Sequence, residues 1–190
     1  ARSIHSGFTK WHKGSNDYGT DSFATQIADS EFWPEFRMLV CITQTSEKKV
    51  SSRTAMERTV KTSPMYESWL NTIQKDLDSV EKGILDKSIS AVGIAAEANC
   101  LKMHTTMFTS EPSIVYWNAA TLELMESVNS LRSHGIECYF TIDAGPQVKI
   151  LCESKHVDAI IKEVKDLIGV SSVIVTKPGL GSRITEEHLF

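Results

Sequence analysis

The sequence predicts an α+β fold: a two-layer domain in which helices pack on one side of an antiparallel sheet. Three observations lead there. Residues 138–152 are two apolar, alternating runs around a turn of small residues, the pattern of an antiparallel hairpin. Residues 38–42 (Met-Leu-Val-Cys-Ile) are all apolar, which suggests a strand buried on both faces. Several stretches carry apolar residues at three- and four-residue steps, the spacing of amphipathic helices, and they do not alternate regularly with the strands.

Taken in order, residues 3–11 read as a strand or irregular arm and 13–20 as a loop. Residues 21–28 read as a short helix capped by Thr20 or Asp21. Trp33-Pro34 marks a break, because proline disfavours helix in the residue before it. Residues 37–45 form the first strong strand and end in a polar turn. Residues 50–57 read as a helix N-terminus with serine capping. Pro64 suits a first helical position and opens a helix over 65–82, with Met65, Trp69, Ile73 and Leu77 along one side and Gly83 as its stop. A third helix covers 88–107 through Ile89, Val92, Ala96, Asn99 and Met103. A fourth covers 116–134, and Gly135 ends it. After the hairpin come a fifth helix over 157–168 and a short β-branched strand over 171–176. Gly179-Leu180-Gly181-Ser182 lacks the long strand before it and the helix after it that a phosphate loop needs, so the tail reads as a mobile end. No linker divides the 190 residues, and a single domain is expected over 1–190.

With 41% apolar residues the chain can bury a sizeable core. Its net charge of -4 offers no general attraction to nucleic acid or to an anionic membrane. Its longest wholly apolar run is far too short to span a bilayer. There is no secretory apolar region at the start and no Asn-x-Ser/Thr site. Cys41, Cys100, Cys138 and Cys152 form no Cys-x-x-Cys pair and sit in apolar surroundings, as expected of buried thiols in a cytoplasmic protein. The six histidines show no metal-ligand spacing.

A few residues stand out for chemistry. Asp143 lies where an apolar strand ends and Gly145-Pro146 bends the backbone. It is either a turn aspartate bonding its own backbone or a carboxylate held at the rim of a packed sheet, a candidate base. Ser52 and Arg53 open a helix whose free N–H groups and dipole suit phosphate, although a plain cap with an exposed arginine has the same sequence. Asn99 interrupts an apolar stripe, either to bond a buried backbone group or to face a ligand. His104 reads first as a core or capping histidine, and Arg2 as a surface charge.

Tyr139-Phe140-Thr141-Ile142-Asp143-Ala144-Gly145-Pro146 closely resembles the catalytic aspartate motif of mevalonate diphosphate decarboxylases, members of the GHMP kinase superfamily. Arg2-Ser3-Ile4 with Gly7-Phe8 and Trp11, Asp21-Ser22, Trp33-Pro34, Lys48-Lys49-Val50-Ser51-Ser52-Arg53, Thr62-Ser63, Glu97-Ala98-Asn99 and Met103-His104 have counterparts in the same order. The resemblance runs from Arg2 to about Cys152. Gln147 departs from the usual asparagine, and His5-Ser6 from Tyr-Gly.

The resemblance implies the carboxy-terminal domain of such an enzyme, with residues 1–20 as the junction from an absent amino-terminal half that carries the ATP-phosphate loop. It implies ATP with Mg2+ as co-substrate, mevalonate 5-diphosphate as substrate, a homodimer, a cytoplasmic location, and no nucleic-acid or membrane partner. Asp143 would orient the tertiary 3-hydroxyl and take its proton, and Arg2 would pair with Asp143 or the substrate carboxylate. Ser52 and Arg53 would hold the diphosphate, and Ala144, Gly145, Asn99 and His104 would support the substrate. No metal ligand is assigned. A phosphomevalonate decarboxylase, a mevalonate 3-kinase and a non-catalytic ligand-binding domain of the same fold remain alternatives. The 190 residues alone are expected to fold but to turn over no ATP.

Overall fold

The computed structural model describes residues 4–44 and 50–185. Where a single domain was expected, the chain divides into two compact units, residues 1–34 with 177–190, and residues 35–176.

In the first unit β1 (Phe8–Trp11) pairs antiparallel with β2 (Ala24–Ala28). The helix expected over 21–28 is therefore a strand. Asp21 does not cap it; its carboxylate accepts from the Ser15 N–H and hydroxyl at 2.6 and 2.8 Å and closes the loop before β2. The tail also departs from expectation. Gly7 N–H donates to the Gly179 carbonyl at 2.8 Å and Ser182 N–H to the Ile4 carbonyl at 3.2 Å. A Cβ on Gly181 would lie 2.7 Å from the Ile4 carbonyl oxygen, so residues 179–182 pack closely on residues 4–7.

The second unit is the α+β core. Its sheet contains β3 (Phe36–Ile42), β4 (Cys138–Thr141), β5 (Val148–Glu153) and β6 (Ser172–Thr176) in the order β4-β5-β3-β6, all neighbours antiparallel. The hairpin closes as expected, Cys138 opposite Cys152 and Phe140 opposite Ile150. Strand alternation sends Leu39, Cys41, Cys138, Phe140, Val148, Ile150 and Cys152 into one core, filled by Leu124, Val128, Leu131, Ile160 and Val164 of helices α4 (Ala119–Ser133) and α5 (Val157–Val164). Only Leu39 and Cys41 of the β3 apolar run are fully buried. Met38, Val40 and Ile42 are half-buried, because α5 packs on one face of that strand. The four cysteines are buried free thiols, and burial pushes Cys41 and Cys152 up to about 12.

Helix α1 (Ser52–Thr62) is capped by Ser51, whose hydroxyl accepts from Thr54 N–H at 3.1 Å. Helix α2 (Tyr66–Leu85) runs past Gly83 instead of stopping there. Gly83 is a packing residue: a Cβ would lie 2.9 Å from Val92 on α3 (Ile89–Phe108), so its small size lets the two helices meet. At the sheet edge α3 meets β4 through Gly93 and Tyr139. α4 starts three residues later than expected, because Asn118 and Thr121 form a reciprocal capping box. Tyr116 and Trp117 are thereby left in the preceding loop. α5 ends at Val164 rather than residue 168, and Leu167 packs into the core while Ile168 points to solvent.

Candidate functional site

The sequence of residues 141–147 builds a turn that leaves the sheet and is tied down at several points. The Ile142 N–H donates to Cys100 Sγ at 3.2 Å, and the Cys100 thiol donates to the Ile142 carbonyl at 3.4 Å. Gly145 has φ +82°, the left-handed region that glycine tolerates, and its N–H donates to Asp143 Oδ1 at 3.2 Å. The Pro146 carbonyl accepts the Thr121 hydroxyl at 3.0 Å and the Thr43 hydroxyl at 3.2 Å. The turn presents Asp143 at the surface, its side chain 72% exposed, as an ion pair with Lys149 Nζ at 2.7 Å.

Asp143 and Ala144 line a cavity of about 510 Å³ together with Ser52. One stripe of α1 forms a wall: Ser52, Ala55, Met56, Thr59 and Val60 fall at the three- and four-residue steps of a single helix face. Met103, Thr106 and Met107 of α3 and Tyr66 and Trp69 of α2 complete it. The volume is that of a small-molecule site, and the lining is mostly apolar, with polar groups at Ser52, Thr59, Tyr66, Trp69, Thr106 and Asp143. The Ser51 cap satisfies Thr54, so the N–H groups of Ser52 and Arg53, which precede the first intrahelical bond, point out of the helix start and can meet an anion.

The other expected residues fall as follows. Arg53 is exposed on the first turn of α1 and does not line the cavity. Gly145 borders the Asp143 turn. Asn99 lies elsewhere: its amide donates to Asp76 Oδ2 of α2 at 2.8 Å, where Lys102 Nζ also bonds at 2.5 Å, so it serves the α2–α3 contact. His104 is wholly buried under the turn, its ring 4.8 Å from that of Trp117 and 6.1 Å from that of Phe108. Neither ring nitrogen has a hydrogen-bond partner. Burial lowers His104 from 6.5 to about 4, while the nearby Ile142 and Asp143 carbonyls oppose this without bonding geometry. His104 is thus neutral and stands behind the cavity, not in it. Arg2, with its expected pairing, lies outside the described residues.

Two residues next to the site were missed from sequence. Lys149 is a charge inside an otherwise apolar strand, opposite Thr141 in the hairpin register, and that pattern was a usable signal. Tyr116 was read as the start of a helix. Its hydroxyl donates to the Val50 carbonyl at 2.9 Å, and burial raises its phenol above the ordinary value.

A family described as mevalonate 5-diphosphate decarboxylase C-terminal domain matches residues 38–184. The chain is 26% identical to the diphosphomevalonate decarboxylase of Candida albicans, over 99% of this chain and 57% of that protein. The crystal structure of mevalonate diphosphate decarboxylase from Staphylococcus aureus matches with a TM-score of 0.86 and 34% identity, covering 95% of this chain and 54% of that one. A structure of MDDEF in complex with MVAPP, AMPPCP and magnesium matches with a TM-score of 0.86 and 39% identity over the same shares. This chain spans about half the length of the relatives it matches.

Proposed function

Because this chain belongs to the mevalonate 5-diphosphate decarboxylase family through that C-terminal domain, we propose that it is the carboxy-terminal part of an ATP-dependent decarboxylase. The reaction is the conversion of mevalonate 5-diphosphate to isopentenyl diphosphate, ADP, phosphate and CO2. The observation that supports this reading is that Asp143 and Ser52, from distant parts of the chain, line one cavity.

In this reading the diphosphate meets the start of α1, where the N–H groups, the Ser52 hydroxyl and the Arg53 guanidinium supply donors. The tertiary hydroxyl faces Asp143, which accepts its proton as the phosphoryl group arrives. Departure of the phosphate builds positive charge on the same carbon, and the fixed carboxylate stabilises it. Lys149 orients that carboxylate from behind. Ala144 lines the substrate's path, and Gly145 shapes the turn that carries it. A relative in complex with AMPPCP and magnesium supports ATP and Mg2+ as co-substrate. Among the described residues no group of three or more His, Cys, Asp or Glu could hold a metal ion. The same reading assigns a cytoplasmic homodimer. Among the described residues no helix is long and apolar enough to cross a membrane.

The test is reconstitution with the amino-terminal half supplied in trans. Phosphate release should then depend on mevalonate 5-diphosphate, with the monophosphate and mevalonate as poorer substrates. Turnover by the 190 residues alone, or preference for the monophosphate, would overturn the reading.

A further inference from the structure

The two lining residues assigned to the ligand's polar groups sit on different elements. Ser52 opens α1, Asp143 follows β4, and a ligand that reaches both needs their separation held constant. Two side chains hold these elements: one joins the α1 lead-in to the Asp143 turn, and the other ties that turn to the end of β3.

Tyr116 is the first. Its hydroxyl donates to the Val50 carbonyl at 2.9 Å and approaches that of Ser51 at 3.4 Å, the two residues that lead into Ser52. The other end of the same side chain lies against the Asp143 turn, where a Cβ placed on Gly145 would sit 3.3 Å from Tyr116 Cβ. Its neighbour Trp117 packs on His104 beneath that turn. Gln147 is the second. Its Oε1 accepts from Thr43 N–H at 2.7 Å and from the Thr43 hydroxyl at 3.2 Å, and its Nε2 donates to the Gln44 carbonyl at 2.6 Å. Gln147 thus holds residues 43–44 at the end of β3, and Tyr116 holds residues 50–51 at the start of α1.

We infer that Tyr116 and Gln147 are positioning residues: Tyr116 sets the distance between the α1 N-terminus and the Asp143 turn, and Gln147 holds the turn end of that span against β3. They thereby select ligands carrying both a diphosphate and a hydroxyl at matching separation. The inference rests on the reading of Ser52 and Asp143 given above. Neither side chain touches the reacting atoms. Each acts through the backbone it holds, and a lost neutral hydrogen bond of this kind is worth about fivefold in an equilibrium.

The experiment compares the 190-residue chain with its Tyr116→Phe and Gln147→Leu variants. Binding of inorganic pyrophosphate, which reaches only the α1 end, is measured beside binding of mevalonate 5-diphosphate, which reaches both. Amide exchange is followed at Ala55, on α1, and Ile142, at the turn. The expected result is that mevalonate 5-diphosphate binds about fivefold more weakly to each variant while pyrophosphate affinity stays within about twofold. Exchange should rise together at Ala55 and Ile142 in Tyr116→Phe. Equal affinity of wild type and variants for both ligands would overturn the inference. So would equal weakening of both ligands, since the side chains would then merely support the helix start. If wild type binds neither ligand, the diphosphate reading fails. The exchange data then decide the clamp: a joint rise upholds it, and a rise at one residue alone overturns it.

Discussion

Asp143 and Lys149 face each other across the β4–β5 hairpin, Oδ1 to Nζ at 2.7 Å, the lysine largely covered and the aspartate open to solvent. The ammonium thus holds the carboxylate from the sheet side and leaves it open to solvent, where the proposed reaction needs it. In the reconstituted enzyme Asp143→Asn should lower kcat by a factor of about 100 or more with little change in substrate affinity, since it removes a base but keeps the shape. Lys149→Met should cost only a few-fold, because a pair with one exposed partner is worth roughly 1 kcal/mol or less. Steady-state kinetics on both variants check the order of effects, and an active Asp143→Asn enzyme would remove Asp143 from the chemistry.

The helix start makes a separate prediction. Ser52→Ala with Arg53→Ala leaves the Ser51 cap intact, so the helix should persist while the diphosphate loses a hydroxyl and a charged donor. Calorimetric titration with mevalonate 5-diphosphate should show at least tenfold weaker binding at unchanged circular dichroism. Equal affinity would show that the diphosphate goes elsewhere.

His104 ties stability to pH. Its folded-state value of about 4 lies below the ordinary 6.5. Above 6.5 neither the folded nor the unfolded chain binds the proton, and the group has no effect. As pH falls from 6.5 towards 4 the unfolded chain takes up the proton and the folded chain does not, so stability is lost across that window. The full loss is on the order of 3 kcal/mol. His104→Phe keeps an aromatic ring beside Trp117 and Phe108 but cannot titrate. The drop in urea midpoint between about pH 7 and about pH 4.5 should therefore be smaller in the variant than in wild type. Parallel pH dependences would show that His104 is not the group responsible.

Gly93 tests the seam between α3 and β4. A Cβ there would fall 2.0 Å from Tyr139 Cγ, and the Arg132 guanidinium 4.7 Å from that ring limits its retreat. Gly93→Ala gains about 1 kcal/mol of helix propensity but loses roughly 3 kcal/mol or more to overpacking. A net fall in Tm of several degrees is expected by calorimetry. An unchanged or higher Tm would mean that the seam can open at little cost.

The sequence by itself determined whatever is written in local order. The 138–152 hairpin was legible because alternation and a glycine-proline turn are carried by neighbouring residues, and Cys138 does pair with Cys152. The serine cap of α1 and the Gly135 stop of α4 were legible for the same reason, since a cap serves backbone groups within one turn. The apolar run before Asp143 likewise placed that carboxylate where a strand leaves the sheet, as it does.

Tertiary structure decided everything that depends on what lies opposite. Residues 24–28 became a strand because β1 offered a ladder, which outweighs a weak helical preference. Gly83 proved to be a contact and not a stop, because Val92 packs against it. Asn99 turned to Asp76 and away from the cavity, although its place in the stripe allowed either. Lys149 reached Asp143, and Tyr116 reached Val50, across gaps no local pattern spans. A side chain's partner is chosen by the packing of distant segments, and that choice is made only when the layers close.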